Sequence, residues 1–387
     1  MGALDNHAFL PLSRPTYYQH LRKHGYQVGC VGKLDLAKPD GYNGREGRRP
    51  LAYAFGFTDP VECEGKMHAG RGDPPNGPYT SWLKEQDPAL HKAFTDDYQS
   101  RRDQGAVGVL HDSVVPFGYC EDDYIGQRAC QAIQTFSDEF PWHLFVSFVG
   151  PHNPFDPAPE YAEQWRSADM PEPIPWEPAG KPDRYARGRE DYRDPALCKI
   201  ARRQYTAYLE QIDFRIGELL ATLEQRGELD STYIVFAADH GEMLGDHGRY
   251  TKGVQYESSL RVPMIVSGPG ISPGVSDALV ELNDLNPTIR ELAGLAPLPN
   301  SDARSVLPVA SGKATQHRDF TFATHRGHLC LRDHQWKFIR GDDGQHELYD
   351  LVNDPNERQN VFEQHPDVVA LWQQRAVDGL VEGGCNR

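Results

Sequence analysis

Residues 232–252, TYIVFAADHGEMLGDHGRYTK, constrain what this chain can fold into more than any other stretch. A β-branched and aromatic run (Tyr233, Ile234, Val235, Phe236) is followed by two alanines and stops on Asp239-His240-Gly241. A continuous apolar run of that length between polar residues reads as a strand buried on both faces. Asp239 and His240 then stand where the strand leaves the sheet, and Gly241 lets the backbone turn. Open parallel sheets present ligands at the carboxyl ends of their strands. A hard carboxylate beside an imidazole at such a place suits a divalent cation. The plain alternative is a polar turn with a capped helix, and for Asp-His-Gly alone the two readings weigh evenly.

Two more segments share this pattern. Pro15 opens a helix, a favoured place for proline, that passes Tyr18 and Leu21 to Gly25, a residue suited to a C-cap. Residues 26–32, YQVGCVG, then form a strand that ends at Lys33. Near Asp122 a helix starts with Ile125, Ala129, Ile133 and Phe136 on one face. Residues 143–149, HLFVSFV, form the next strand and run into GPHNPF, where Pro151 and Pro154 stiffen the turn that holds His152. A long helix over residues 199–225 precedes the run at 232, and a strand over 260–267 and a helix over 282–292 follow it. Strands alternating with helices predict an α/β fold, a mostly parallel central sheet flanked by helices. A parallel sheet would bring Lys33, His152 and Asp239-His240 to one edge.

The remaining segments are less regular. Residues 34–120 are rich in Gly, Pro, Arg and Asp, with Phe55-Gly56-Phe57 as an apolar island, and read as a folded excursion or a lid. Residues 156–195 read as a surface loop and 297–316 as a linker. Beyond it, short strands over 320–324, 328–331 and 336–339 and a helix over 366–381 predict a small C-terminal antiparallel sheet plus helix. The expected division is an α/β domain over residues 1–314 and a C-terminal α+β subdomain over 315–387.

Composition narrows the partners. A net charge of −16 over 387 residues argues against a nucleic-acid backbone, although a metal and a few lysines invert the field locally. The seven cysteines are scattered, odd in number and never spaced Cys-x-x-Cys, which fits reduced thiols better than disulfides or structural zinc. Cys30, inside a predicted strand, reads as a small core residue. No apolar run approaches the roughly 18 residues of a membrane span, and the first residues lack a basic-then-apolar leader. A cytoplasmic protein without nucleic-acid or membrane partners is expected, its oligomeric state open.

Beyond Asp239-His240 lie Glu242, Asp246, His247 and Lys252. An EF-hand loop needs oxygen ligands where Gly241 and Met243 stand, and no zinc-protease His-Glu-x-x-His is present. What remains is one cation on Asp239 and His240, with Lys33, His152 and Lys252 around it. Two lysines and a histidine near a metal make a pocket for a tetrahedral oxyanion. His152 would give a proton to the leaving oxygen or hydrogen-bond the anion. Singly, a histidine is more often structural and Lys252 more often a solvated lysine; the three strand ends together carry the reading.

Four segments resemble the sulfatase family of the alkaline-phosphatase-like superfamily, over about residues 15–365. GYQVGCVGKLDL resembles its helix–strand–Gly-Lys segment and VSFVGPHNPFDPAPEY its Pro-His-x-Pro turn. IVFAADHGEMLGDHGRYTKG resembles its metal-binding Asp-His-Gly loop with the following lysine, and ELYDLVNDPNERQNV its C-terminal motif. The resemblance implies an alkaline-phosphatase-like fold and one divalent cation on Asp239 and His240, calcium first, with manganese or magnesium as alternatives. Lys33, His152 and Lys252 would contact a small-molecule sulfate ester, which the enzyme would hydrolyse. A phosphodiester or phosphonate monoester hydrolase is the alternative among enzymes, and a non-catalytic fragment or oxyanion-binding relic the alternative outside them.

Two departures matter. Asp35 stands where the family has a histidine, adding negative charge. The family's first strand with paired aspartates, and its Cys/Ser-x-Pro-x-Arg motif that yields the formylglycine nucleophile, are not in these 387 residues. Pro11-Leu12-Ser13-Arg14 is a superficial echo, and Cys198 with Arg202 lacks the proline. No nucleophile is nominated, and the expectation is an N-terminally shortened or divergent member with an open sheet position, met by reduced stability, a compensating partner, or a gene start placed too late.

Overall fold

The structure is a computed structural model that describes residues 10–34, 44–101, 110–177, 180–182, 193–296, 298 and 301–382. Asp35 and Cys385 lie outside the described residues. These residues divide into two compact units, one drawn from Asn6–Glu172 and Ala196–Asp230, the other from Pro173–Pro195 and Ser231–Arg387.

The first unit opens with α1 (Tyr17–Lys23). Thr16, not Pro15, sets its start: the Gln19 N–H donates to Thr16 Oγ1 and the Thr16 N–H to Gln19 Oε1, each 3.0 Å, a reciprocal capping box. Gly25, at φ +87°, ends it as expected. β1 (Gln27–Gly32), β2 (Asp59–Glu62) and β3 (Trp142–Ser147) form a parallel sheet in the order β2-β1-β3. Gly32 has φ +111°, and a Cβ there would sit 2.0 Å from the Ser147 carbonyl oxygen, so only glycine fits this strand end. Between β2 and β3 lie α2 (Pro78–Gln86), α3 (Pro88–Arg101) and α4 (Glu121–Thr135). After β3 come α5 (Pro159–Trp165) and the 31-residue α6 (Pro195–Gln225). Ile125 and Ala129 of α4 pack with Val31, Tyr79, Leu83 and Val149 in one core, the face that their spacing predicts.

The stretch expected to be irregular over 34–120 therefore supplies a strand and two sizeable helices. Its signals were weak because β2 is only DPVE, and α2 and α3 begin on prolines with polar residues interleaved. Packing of Tyr79, Leu83 and Tyr98, not periodicity, holds them. Likewise α5 occupies part of the expected loop over 156–195, and a one-turn helix, Leu307–Ala310, part of the expected linker.

In the second unit, β4 (Ile234–Ala237) pairs with β5 (Met264–Ser267), and the pairing is antiparallel. This corrects the expectation of a strand buried on both faces in the parallel sheet. Phe236 and Ile265, directly opposite each other, are 39% and 58% exposed. Among the described residues the parallel sheet carries Lys33 and His152 but not Asp239-His240. An apolar run announces a strand; it does not name the neighbour or its direction. α7 (Leu285–Leu292) follows.

The C-terminal part is a four-stranded antiparallel meander: β6 (Thr321–His325), β7 (His328–Arg332), β8 (Trp336–Arg340) and β9 (Glu347–Asp350). Alternation splits its residues between two faces. Leu329, Leu331, Phe338 and Leu348 meet Val369, Trp372 and Ala376 of α8 (Pro366–Glu382). Cys330, Ile339 and Tyr349 pack instead against Met243, Val254 and Tyr256, from the segment that follows Asp239-His240. Among the described residues no helix is long and apolar enough to cross a membrane. Of the six described cysteines five are buried; Cys30 is a core residue whose thiol burial pushes well up.

Candidate functional site

Lys33 is the first residue beyond β1, and its N–H donates to the Ser147 carbonyl at the end of β3, 3.2 Å away. Its aliphatic stem runs beside Gly65, where a Cβ would come within 3.2 Å of Lys33 Cε. His152 follows β3 by a turn that a single buried carboxylate fixes. Asp122 Oδ1 accepts the Val149 N–H (2.7 Å) and Oδ2 accepts the Gly150 N–H (3.0 Å) and the Tyr208 hydroxyl (2.5 Å). Burial pushes the Asp122 carboxyl up, against the Tyr208 hydrogen bond and the nearby Lys66, which hold it down. The far side of the turn is tied by Lys66, whose Nζ donates to the Pro154 carbonyl (2.8 Å), pairs with Asp156 and lies 4.0 Å over the Tyr208 ring. His152 Nδ1 lies 2.8 Å from the Asn153 carbonyl, which accepts, so the neutral ring keeps its lone pair on Nε2. Glu121 is buried beside this turn. Burial, then Glu64 and Asp122, push its carboxyl well up, and Lys66 and Lys33 oppose them.

Asp239 and His240 follow β4. The His240 N–H donates to Asp239 Oδ1 (3.0 Å), His240 Nδ1 is tied to the Gly241 carbonyl (2.8 Å), and Nε2 lies 3.4 Å from Asp239 Oδ2. Gly241 donates its N–H to the Ser259 carbonyl (2.8 Å), and a Cβ on it would sit 2.1 Å from the Ser258 carbonyl oxygen. Glu242 does not face outward as a further ligand. It accepts the Thr251 N–H, next to Lys252, and burial pushes its carboxyl up to about 7, opposed by that bond and by Lys252. Asp246 accepts the Ser258 hydroxyl (2.7 Å) and the Ile174 N–H (2.8 Å). His247, at φ +53°, is buried with its ring stacked 4.4 Å from that of Tyr256. The polar residues between His240 and Lys252 thus shape the loop that holds them.

The predicted residues fall into two sets, Lys33 and His152 at one edge of the parallel sheet in the first unit, and Asp239, His240 and Lys252 in one loop of the second. The donor chemistry of Asp239 and His240 fits a divalent cation. A carboxylate oxygen and an imidazole nitrogen stand 3.4 Å apart, and the second ring nitrogen is engaged by a carbonyl, the usual orientation of a ligating histidine. Two protein atoms make part of a coordination sphere only. Among the described residues, three ligating side chains gather at His328, Asp342 and Asp343, where all ligand atoms lie within 4.8 Å of one another. His328 Nδ1 there already accepts the Asp342 N–H (3.3 Å), and both carboxylates are exposed.

Sequence reasoning missed Asp122, Lys66 and Glu121. Acidic residues in a helix's first turn are ordinary on dipole grounds, so Asp122 carried no local signal. Lys66 is far in sequence from the turn it braces.

Comparison with known proteins identifies the family and the fold. The family described as Sulfatase matches residues 2–295, and that described as N-sulphoglucosamine sulphohydrolase, C-terminal, matches 245–376. The chain is 26% identical over 368 residues to an arylsulfatase of Clostridium perfringens, covering 90% of this chain and 73% of the relative. It is 27% identical over 379 residues to a choline-sulfatase of Rhizobium meliloti, covering 93% and 69%. A phosphonate monoester hydrolase from Silicibacter pomeroyi shares the fold at a TM-score of 0.78 and 20% identity, over 98% of this chain and 82% of that one. The chain therefore belongs to the sulfatase family and is a sulfuric-ester-hydrolase-like protein of alkaline-phosphatase-like fold.

Proposed function

We propose that this chain hydrolyses small sulfate esters with Asp239 and His240 holding one divalent cation, calcium before manganese or magnesium. The observation that carries the reading is the Asp239–His240 pair, with Oδ2 and Nε2 3.4 Å apart and Nδ1 turned to a carbonyl, in a chain of this family. A bound cation would polarise an ester oxygen. Lys33 and Lys252 neutralise charge on the remaining sulfate oxygens. His152 keeps one proton on Nδ1 against Asn153 and, as imidazolium, gives the Nε2 proton to the leaving oxygen as its bond to sulfur breaks, while a water supplies the oxygen that bonds to sulfur in its place. Asp122 supports the reading by orienting the backbone that carries His152. The scattered cysteines, never spaced Cys-x-x-Cys, favour a reducing compartment, the cytoplasm, as the place of action.

The test is turnover of an aryl sulfate by the purified chain with calcium and with manganese, beside Asp239→Ala and beside an aryl phosphonate. Cation-dependent sulfate turnover, lost in Asp239→Ala, is expected. Preferential turnover of the phosphonate would replace the substrate class. Tight sulfate binding without turnover would make the chain an oxyanion-binding protein.

A further inference from the structure

A fully buried lysine sits in β8, on the sheet face that receives the segment after Asp239-His240. Lys337 Nζ lies 2.7 Å from Glu257 Oε1 and 2.7 Å from Glu357 Oε1, and donates to the Gln255 carbonyl at 3.0 Å. Glu357 Oε2 accepts the Glu257 N–H at 2.7 Å, so two residues, 255 and 257, are grasped by one ion cluster. The residue between them is held as well: the Tyr256 hydroxyl donates to Glu347 (3.1 Å) and receives Lys181 (3.3 Å). Glu257 opens the one-turn helix Glu257–Leu260, whose Ser259 carbonyl accepts the Gly241 N–H at 2.8 Å. Ser258 reaches Asp246 in the same loop. A chain of direct contacts thus leads from Lys337 to the residue beside His240, and along the backbone from Gln255 to Lys252.

A buried charge cluster is a poor means of adding stability, because desolvation offsets most of its attraction. It is a good means of holding one geometry, since any shift leaves a charge unpaired. Against burial, which would raise it, Lys337 holds the Glu257 carboxyl below its usual range. We propose that Lys337, clasped by Glu257 and Glu357, is a positioning residue that fixes the loop bearing Asp239, His240 and Lys252. This rests on the roles assigned to those three residues above.

The test uses the full chain carrying Glu357→Gln, assayed well below its melting temperature. Backbone amide exchange is read over residues 241–257, with β1 and β3 as internal references, and calcium binding by calorimetry accompanies cation-dependent turnover. Expected are exchange over 241–257 faster by roughly tenfold with the references unchanged, and calcium affinity and kcat each lower by roughly tenfold. Lys337→Arg, which keeps the charge, should show each change to a smaller degree, and as the milder lesion it takes the place of Glu357→Gln should that chain melt below the assay temperature. Unchanged exchange overturns the proposal, as does faster exchange with unaltered calcium affinity, the signature of a clasp that serves stability alone. An unmodified chain that binds calcium but does not turn over sulfate overturns the proposed activity and leaves the clasp standing if affinity and exchange shift together. An unmodified chain that binds no calcium overturns both.

Discussion

The turn that carries His152 and the loop that carries Asp239 and His240 are each pinned by a buried carboxylate, and the two carboxylates are satisfied in opposite ways. Asp122 meets neutral donors, the Val149 and Gly150 N–H groups and the Tyr208 hydroxyl. Glu357 meets one neutral donor, the Glu257 N–H, but otherwise an ammonium, Lys337, that it shares with Glu257. Neutral donors fix a backbone by direction; an ion cluster fixes it by charge balance. The first anchor should therefore fail gradually as donors are lost, and the second abruptly when its charges cease to sum.

The largest effect should come from Lys337→Met, which strands the buried Glu357 carboxylate and leaves Glu257 with Arg332 alone, and should cost about 3–5 kcal/mol in a urea melt. Adding Glu357→Leu should recover more than half of that loss. A double variant no more stable than the single one would break the charge-balance account. Asp122→Ala comes next, at about 2–3 kcal/mol for the buried donors left unpaired, with Asp122→Asn losing less than half as much. Equal losses for the two would mean that charge, not direction, matters at Asp122.

Acid should separate the two regions further. Burial, then Lys181, Lys337 and Arg249, push the His247 ring down to about 3. Below the ordinary value near 6.5 the unfolded ring binds a proton that the native ring refuses. Stability contributed there is complete above pH 6.5 and is lost as pH falls from 6.5 toward 3, on the order of 1–2 kcal/mol between pH 7 and 5. His247→Asn, which tolerates the positive φ, should flatten that slope in chemical melts at several pH values. An unaltered slope would place the acid sensitivity elsewhere. The smallest effect should be at Phe236→Thr, an exposed strand residue outside both anchors, which should change stability by no more than about 0.5 kcal/mol.

What could be read from residues alone followed the range of the interaction. α4 and β3 were legible because Ile125, Ala129 and Ile133 repeat at helical spacing and HLFVSFV is apolar at five of its seven positions. The Asp-His-Gly and Pro-His-x-Pro turns were legible because glycine and proline act on their own backbone. β2, α2 and α3 were not, since their burial depends on partners that local pattern does not record. Nor was the pairing of β4, whose partner β5 begins 27 residues beyond it. Lys337 shows the limit most clearly. In WKFIR it looks like the charged member of an alternating strand, yet it is fully buried, because Glu257 lies 80 positions earlier and Glu357 20 later.

Gly241 changes how a saturation-mutagenesis map of this chain should be interpreted. A Cβ at that position would collide with the Ser258 carbonyl oxygen at 2.1 Å, so every replacement must move the backbone beside His240. In a screen scored by product formed, position 241 would rank with Asp239 and His240 although it brings no chemistry of its own. Scoring the same library for thermal survival would part them: an alanine at 239 leaves an exposed site without its carboxylate in a chain that still melts late, whereas an alanine at 241 gives one that melts early.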